Sequence, residues 1–129
     1  MIRCVRIWTG DEGNSLFEEG TLDLSKGDRG DVLSDKLATS SISYRETKSG
    51  GAFARHDAPT RQFVITLSGT LEFKTATGAT FRINTGDILL AEDVAGTGHS
   101  WRLTDDQPWR RAYVIIGADV VVPFVKQSG

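Results

Sequence analysis

The chain has 129 residues, enough for one domain with one buried core, and its 15 Lys and Arg against 17 Asp and Glu leave a net charge of −2. That balance lacks the basic footprint on which nucleic-acid or anionic-membrane binding rests, so neither partner is expected. With 2 His and 1 Cys, the chain cannot supply a four-cysteine zinc site, an internal disulfide or a three-histidine metal centre, so any metal would lean on oxygen ligands.

Ile2 to Trp8 reads as a first strand; the polar stretch Thr9 to Gly13 follows at once, which leaves the apolar run too short for the core of a secretory signal. Ser15-Leu16-Phe17-Glu18 has capping-box spacing between Gly13 and Gly20, room for one helical turn, and Asp31 to Leu37 is a second short helical candidate. Strands are expected at Ser41–Glu46 and Ala52–His56. The most regular stretch runs from Gln62 to Ala91. There Phe63–Leu67, Leu71–Lys74, Phe81–Ile83 and Ile88–Ala91 are separated by turns at Ser68-Gly69, Ala76–Gly78 and Asn84–Asp87, a pattern that reads as a four-strand meander. Leu71/Phe73 and Phe81/Ile83 alternate with Glu72/Lys74 and Thr80/Arg82, the period of two of a strand with one buried face. Ile88-Leu89-Leu90 is apolar on both faces and belongs in the middle of a sheet.

Further strands are expected at Gly98–Leu103, Arg111–Ile116 and Val120–Pro123. The most apolar segment, Tyr113 to Val125, is broken by Gly117, Asp119 and Pro123 and falls short of the ~20 residues that span a bilayer. Many short strands and no long helix predict an all-β chain closed into a sandwich or barrel, because closure removes the exposed edges that invite aggregation. No linker or repeat divides the chain, so residues 1–129 are expected to form a single domain. A lone unpaired Cys4 without an export signal predicts a cytoplasmic protein.

Both histidines flank the regular stretch, His56 just before its first strand and His99 just after its last. A rolled-up barrel gathers strand ends at one mouth, which predicts both imidazoles on one cavity. A histidine there can act as general acid or base near neutral pH. Trp101, two residues beyond His99, shares its face of the strand and would wall the cavity or fill the core. Nucleophilic hydrolysis lacks a G-x-S-x-G motif, and Cys4 sits in an apolar strand.

The run His56-Asp57-Ala58-Pro59-Thr60-Arg61-Gln62, with Gly69 beyond it, resembles the first cupin motif, in which two histidines one residue apart precede a glutamate and a glycine. Gly86-Asp87 through Glu92-Asp93 to Gly98-His99 resembles the second, with two extra residues before its histidine. The resemblance covers Gly50 to Leu103. It implies an antiparallel double-stranded β-helix, or jelly-roll barrel, of the cupin type. It also implies a small-molecule ligand, a homodimer paired through sheet edges, and one divalent metal ion, iron, manganese, nickel or zinc.

Carried over position by position, the chain keeps His56 and His99, has Ala58 in place of the second histidine and Gln62 in place of the glutamate. His56, Gln62 and His99 would then hold the metal, and Glu92 or Asp93 could restore a carboxylate. Two neutral imidazoles and an amide leave a divalent cation uncompensated in a partly apolar cavity, which lowers its affinity. Two functions stay open. One is an enzyme of dioxygenase or isomerase type, working through a metal or through His56 and His99 as acid and base. The other is a metal-free small-ligand-binding or regulatory module without catalysis. In either, Gln62 contacts the ligand, with Glu92 and Trp101 as further contacts.

Overall fold

The computed structural model describes residues 1–127. Every regular element among them is a strand: β1 (Arg3–Thr9), β2 (Ser15–Leu22), β3 (Lys26–Asp28), β4 (Asp31–Leu33), β5 (Ser41–Thr47), β6 (Ala52–His56), β7 (Gln62–Ser68), β8 (Leu71–Thr75), β9 (Thr80–Ile83), β10 (Ile88–Glu92), β11 (His99–Leu103), β12 (Trp109–Ile115) and β13 (Phe124–Lys126). No helix of the described residues is long and apolar enough to cross a membrane.

The eight strands from β5 to β12 are dealt to two sheets in the orders β5-β12-β7-β10 and β6-β11-β8-β9. That winding of two Greek keys is a jelly roll. The chain is therefore all-β with the expected barrel topology. β1, β2 and β13 extend the first sheet to seven strands, with β1 lying parallel to β10, the one parallel ladder among the described residues.

Gln62 to Ala91 does form four strands, but they are not a meander. β8 and β9 pair as a hairpin in the smaller sheet, whereas β7 and β10 pair with each other in the larger one. The turn at Asn84–Asp87 carries the chain between sheets, with Asp87 Oδ2 accepting the Asn84 backbone N–H at 2.8 Å. Ser15–Glu18 opens β2 instead of a helical turn, because it completes the ladder of β1 and sets Phe17 against Phe81 at 4.6 Å between ring centres. Asp31–Leu33 forms an exposed hairpin with Lys26–Asp28, and no helix follows. Val120–Pro123 is irregular: Pro123 has no N–H for a ladder, its carbonyl accepts from the Asp23 N–H at 2.7 Å, and pairing starts at Phe124.

Two apolar clusters explain the order of the strands. One lies between the sheets and joins Val5, Ile7, Val64 and Leu89 of the larger to Leu71, Phe73, Phe81 and Trp101 of the smaller. The other covers the outer face of the larger sheet, where Cys4, Phe63, Leu90 and Ile116 pack with Leu37, Val120, Val122 and Phe124. β10 is the middle strand of seven and buries both faces, which is why Ile88 to Ala91 are all apolar.

Candidate functional site

β6 and β11 are neighbours in the smaller sheet, and His56 and His99 are direct partners across that ladder. Their ring centres are 4.9 Å apart. The approach depends on Gly98: at φ 67° it lies so close to β6 that a Cβ would fall 2.0 Å from the His56 carbonyl oxygen. Only glycine takes both that conformation and that contact without strain.

His99 is buried at 4% exposure, and its Nδ1 is 2.6 Å from Asp93 Oδ2. Asp93 is fully buried, and the same oxygen accepts from Ser15 Oγ at 2.7 Å. Its other oxygen, Oδ1, has no hydrogen-bond partner among the described residues. A carboxylate can only accept, so it fixes the proton of neutral His99 on Nδ1 and leaves Nε2 as the free lone pair. His56 is arranged alike, its Nδ1 lying 3.0 Å from the Ala54 carbonyl oxygen. Two Nε2 acceptors thus stand at one site, one of them backed by a buried carboxylate.

Both rings border a cavity of about 40 Å³ between the sheets. Gln62, Ala58, Trp101, Phe73, Trp109 and Tyr113 complete much of its wall. Gln62, at the start of β7, is 7% exposed, and its amide makes no hydrogen bond to another described residue, so it is free to meet whatever enters. Trp101 is 8% exposed and does both things expected of it, packing against Trp109 at 4.6 Å between ring centres and walling the cavity. A volume of about 40 Å³ admits roughly three waters, far below the ~300 Å³ at which drug-sized pockets begin.

Glu92 is not at this cavity, contrary to the expectation from sequence. Leu89 and Ala91 of β10 face the cavity, and the alternation of the strand turns Glu92 outward. Its carboxylate is held between Arg6 Nε at 2.5 Å and Arg61 Nε at 2.6 Å, while Arg61 Nη1 donates to the carbonyls of Gly117 and Val120 at 2.7 and 2.6 Å. This network borders a separate open cleft of about 800 Å³ and fastens the segment after β12 to the outer sheet face. Asp93 does reach the site, but from behind His99, as a support for the ring and not as a metal-facing carboxylate.

The residues present do not fit a divalent metal. His56, His99 and Gln62 offer only neutral donors, Ala58 brings only a methyl group to the cavity wall, Asp93 sits behind His99 and does not line the cavity, and Glu92 is spent on arginines. No three His, Cys, Asp or Glu side chains converge as a ligand group among the described residues. A divalent ion here would lack the anion that oxygen-and-nitrogen sites supply.

Arg111 was not singled out from sequence, yet it is 2% exposed on the inner side of β12, its guanidinium carbon 3.8 Å from the Trp109 ring centre. Its even spacing from Trp109 and Tyr113, both inward, is the signal that identifies it.

Comparison with known proteins finds no family model that matches the chain and no match among curated proteins. Among solved structures, the chain is similar to a cupin 2 conserved barrel domain protein from Salinispora arenicola, with 18% identity and a TM-score of 0.49. The alignment covers 60% of this chain and 62% of that one, less than two thirds of its length.

Proposed function

We propose that this chain is a small cupin-type protein that takes a small organic molecule into the cavity between its sheets and moves a proton on it, with His99 as the general base and His56 as its partner. The observation that carries this reading is the buried Asp93–His99 pair. A ring needed only for packing would not require a fully buried carboxylate behind it, whereas a base that must become positive gains from one. Gln62 would orient the substrate by donating to, or accepting from, its polar group. The same groups would also hold a ligand without turnover; Asp93 is what favours proton transfer over binding alone.

No step is assigned to a metal, since the donor set is neutral. The free edge of β5, with Ile42 and Tyr44 exposed, supports pairing of two copies along it.

The reading is tested by titrating a library of fragments of a few heavy atoms against isotope-labelled protein. Shift changes should converge on His56, Gln62, His99 and Trp101. Fragments that perturb only the Arg6–Arg61 cleft, or none that perturb the cavity residues, would refute it.

A further inference from the structure

The charges around the histidine cavity restrict what it can hold. Its wall consists of His56, Gln62 and His99 with apolar and aromatic residues, and no Lys, Arg, Asp or Glu lines it among the described residues. An anion there would face the Nε2 lone pairs with no cation beside it, and the buried charge of Asp93 stands behind His99. A cation would meet only neutral groups, the deficiency that already tells against a divalent metal. In an enclosed space a charged ligand of either sign is therefore costly.

The polar atoms restrict it further. Asp93 Oδ1 is the one fully enclosed side-chain nitrogen or oxygen without a hydrogen bond among the described residues. His99 Nε2 and the Gln62 amide also lack a partner although both residues are buried, so these atoms open on free space, and the space that both residues line is the cavity. His56 Nδ1 donates to the Ala54 carbonyl and His99 Nδ1 to Asp93, which leaves Nε2 of each neutral ring as an acceptor. Gln62 adds one carbonyl acceptor and one NH2 donor. The three side chains thus offer an excess of acceptors, and a neutral ligand that satisfies them brings at least two N–H or O–H donors and one acceptor.

We propose that the cavity binds the primary carboxamide end of a small neutral molecule, its NH2 donating to Nε2 of His56 and His99 and its carbonyl accepting from the Gln62 NH2. The proposal rests on the reading of the cavity as the binding site and names the group that the site takes. Ring centres 4.9 Å apart suit two acceptors that share one NH2. The amide is planar and the Phe73 and Trp101 rings give it flat walls, while a space of about 40 Å³ limits the buried head to about four heavy atoms.

The test titrates isotope-labelled protein with acetamide, acetone and acetate, isosteres of one size, at about pH 8, where an ordinary imidazole is neutral. Acetamide should shift the resonances of His56, Gln62 and His99 with a dissociation constant at least about tenfold below that of acetone, which lacks the donors, and of acetate, which adds a charge. Gln62→Leu removes a buried amide without a partner, should melt no lower than wild type, and should weaken acetamide at least about threefold. His56→Phe should bring acetamide and acetone within about twofold of each other. Acetone or acetate bound as tightly as acetamide through the same residues would overturn the carboxamide while leaving the cavity reading intact, and this comparison in wild type decides the point even where a variant does not fold. Wild-type acetamide affinity in either variant would also overturn the proposal. If none of the probes shifts the cavity residues, the proposal falls together with the cavity reading.

Discussion

His99 and Asp93 are joined by a 2.6 Å hydrogen bond inside the barrel, six residues apart in sequence, with the carboxylate wholly removed from solvent. A buried carboxylate is costly unless it is matched, and here the match is an imidazole N–H and the Ser15 hydroxyl. Asp93→Ala would strand both donors and should destabilise the protein by about 3–5 kcal/mol in urea denaturation. Asp93→Asn keeps an oxygen acceptor without the charge and should cost less, about 1–2 kcal/mol. A loss below ~1 kcal/mol for Asp93→Ala would show that the pair does not hold the site.

Gly98 sets how near the loop after Asp93 comes to β6. Gly98→Ala combines a left-handed backbone with a Cβ 2.0 Å from the His56 carbonyl oxygen, and should cost more than about 2 kcal/mol while moving His56 out of register with His99. Gly86 is the control, since its φ is 91° but a Cβ there meets nothing within 4 Å. Gly86→Ala should cost only the backbone term, about 1 kcal/mol. Equal melting temperatures for the two variants would contradict the close-contact account.

Cys4 is buried beneath the outer apolar cluster, and burial pushes its thiol up from 9.0 to about 12. The raised folded value means that its contribution to stability is complete below pH 9.0 and is lost as pH climbs toward about 12, because the unfolded chain sheds the proton first. The native protein should resist thiol reagents until it unfolds, and Cys4→Val should flatten the alkaline limb of a stability–pH curve. Rapid labelling of native protein at pH 8 would contradict this burial.

Metal affinity follows the charge of the donor set. Protein purified without chelators is expected to hold no stoichiometric iron, manganese, nickel or zinc. Gln62→Glu places a carboxylate beside His56 and His99 and should raise nickel affinity by at least about tenfold, one tenfold step being roughly 1.4 kcal/mol. Calorimetry that finds tight wild-type binding, or no gain in the variant, would show that neutrality is not what limits the site.

Much of the fold was legible because strand alternation and turn glycines are local signals. Leu71/Phe73 and Phe81/Ile83 marked the β8–β9 hairpin, and the double-sided apolarity of Ile88–Leu90 marked the central strand. The division of strands between two sheets was hidden, since β7 pairs with β10 across two intervening strands and nothing in either segment encodes that partner. Glu92 was misplaced for a related reason. Its side is set by how far β10 continues, and the parity of Leu89 and Ala91 turns it outward only because the strand includes it. Asp93 lies one residue past the strand end, where parity stops informing. Arg111 escaped notice because the strand was expected to begin at that residue; started at Trp109, the alternation Trp109, Arg111, Tyr113 points inward.

The most direct measurement of the account is a long-range proton–nitrogen spectrum of the two imidazoles, recorded with and without a cavity-binding fragment. The account predicts that both neutral rings carry their proton on Nδ1, that the Nε2 resonances of His99 and His56 respond to the fragment, and that Asp93→Asn alters the His99 pattern alone. A proton on His99 Nε2 in the free protein, or ring resonances indifferent to a bound fragment, would contradict it.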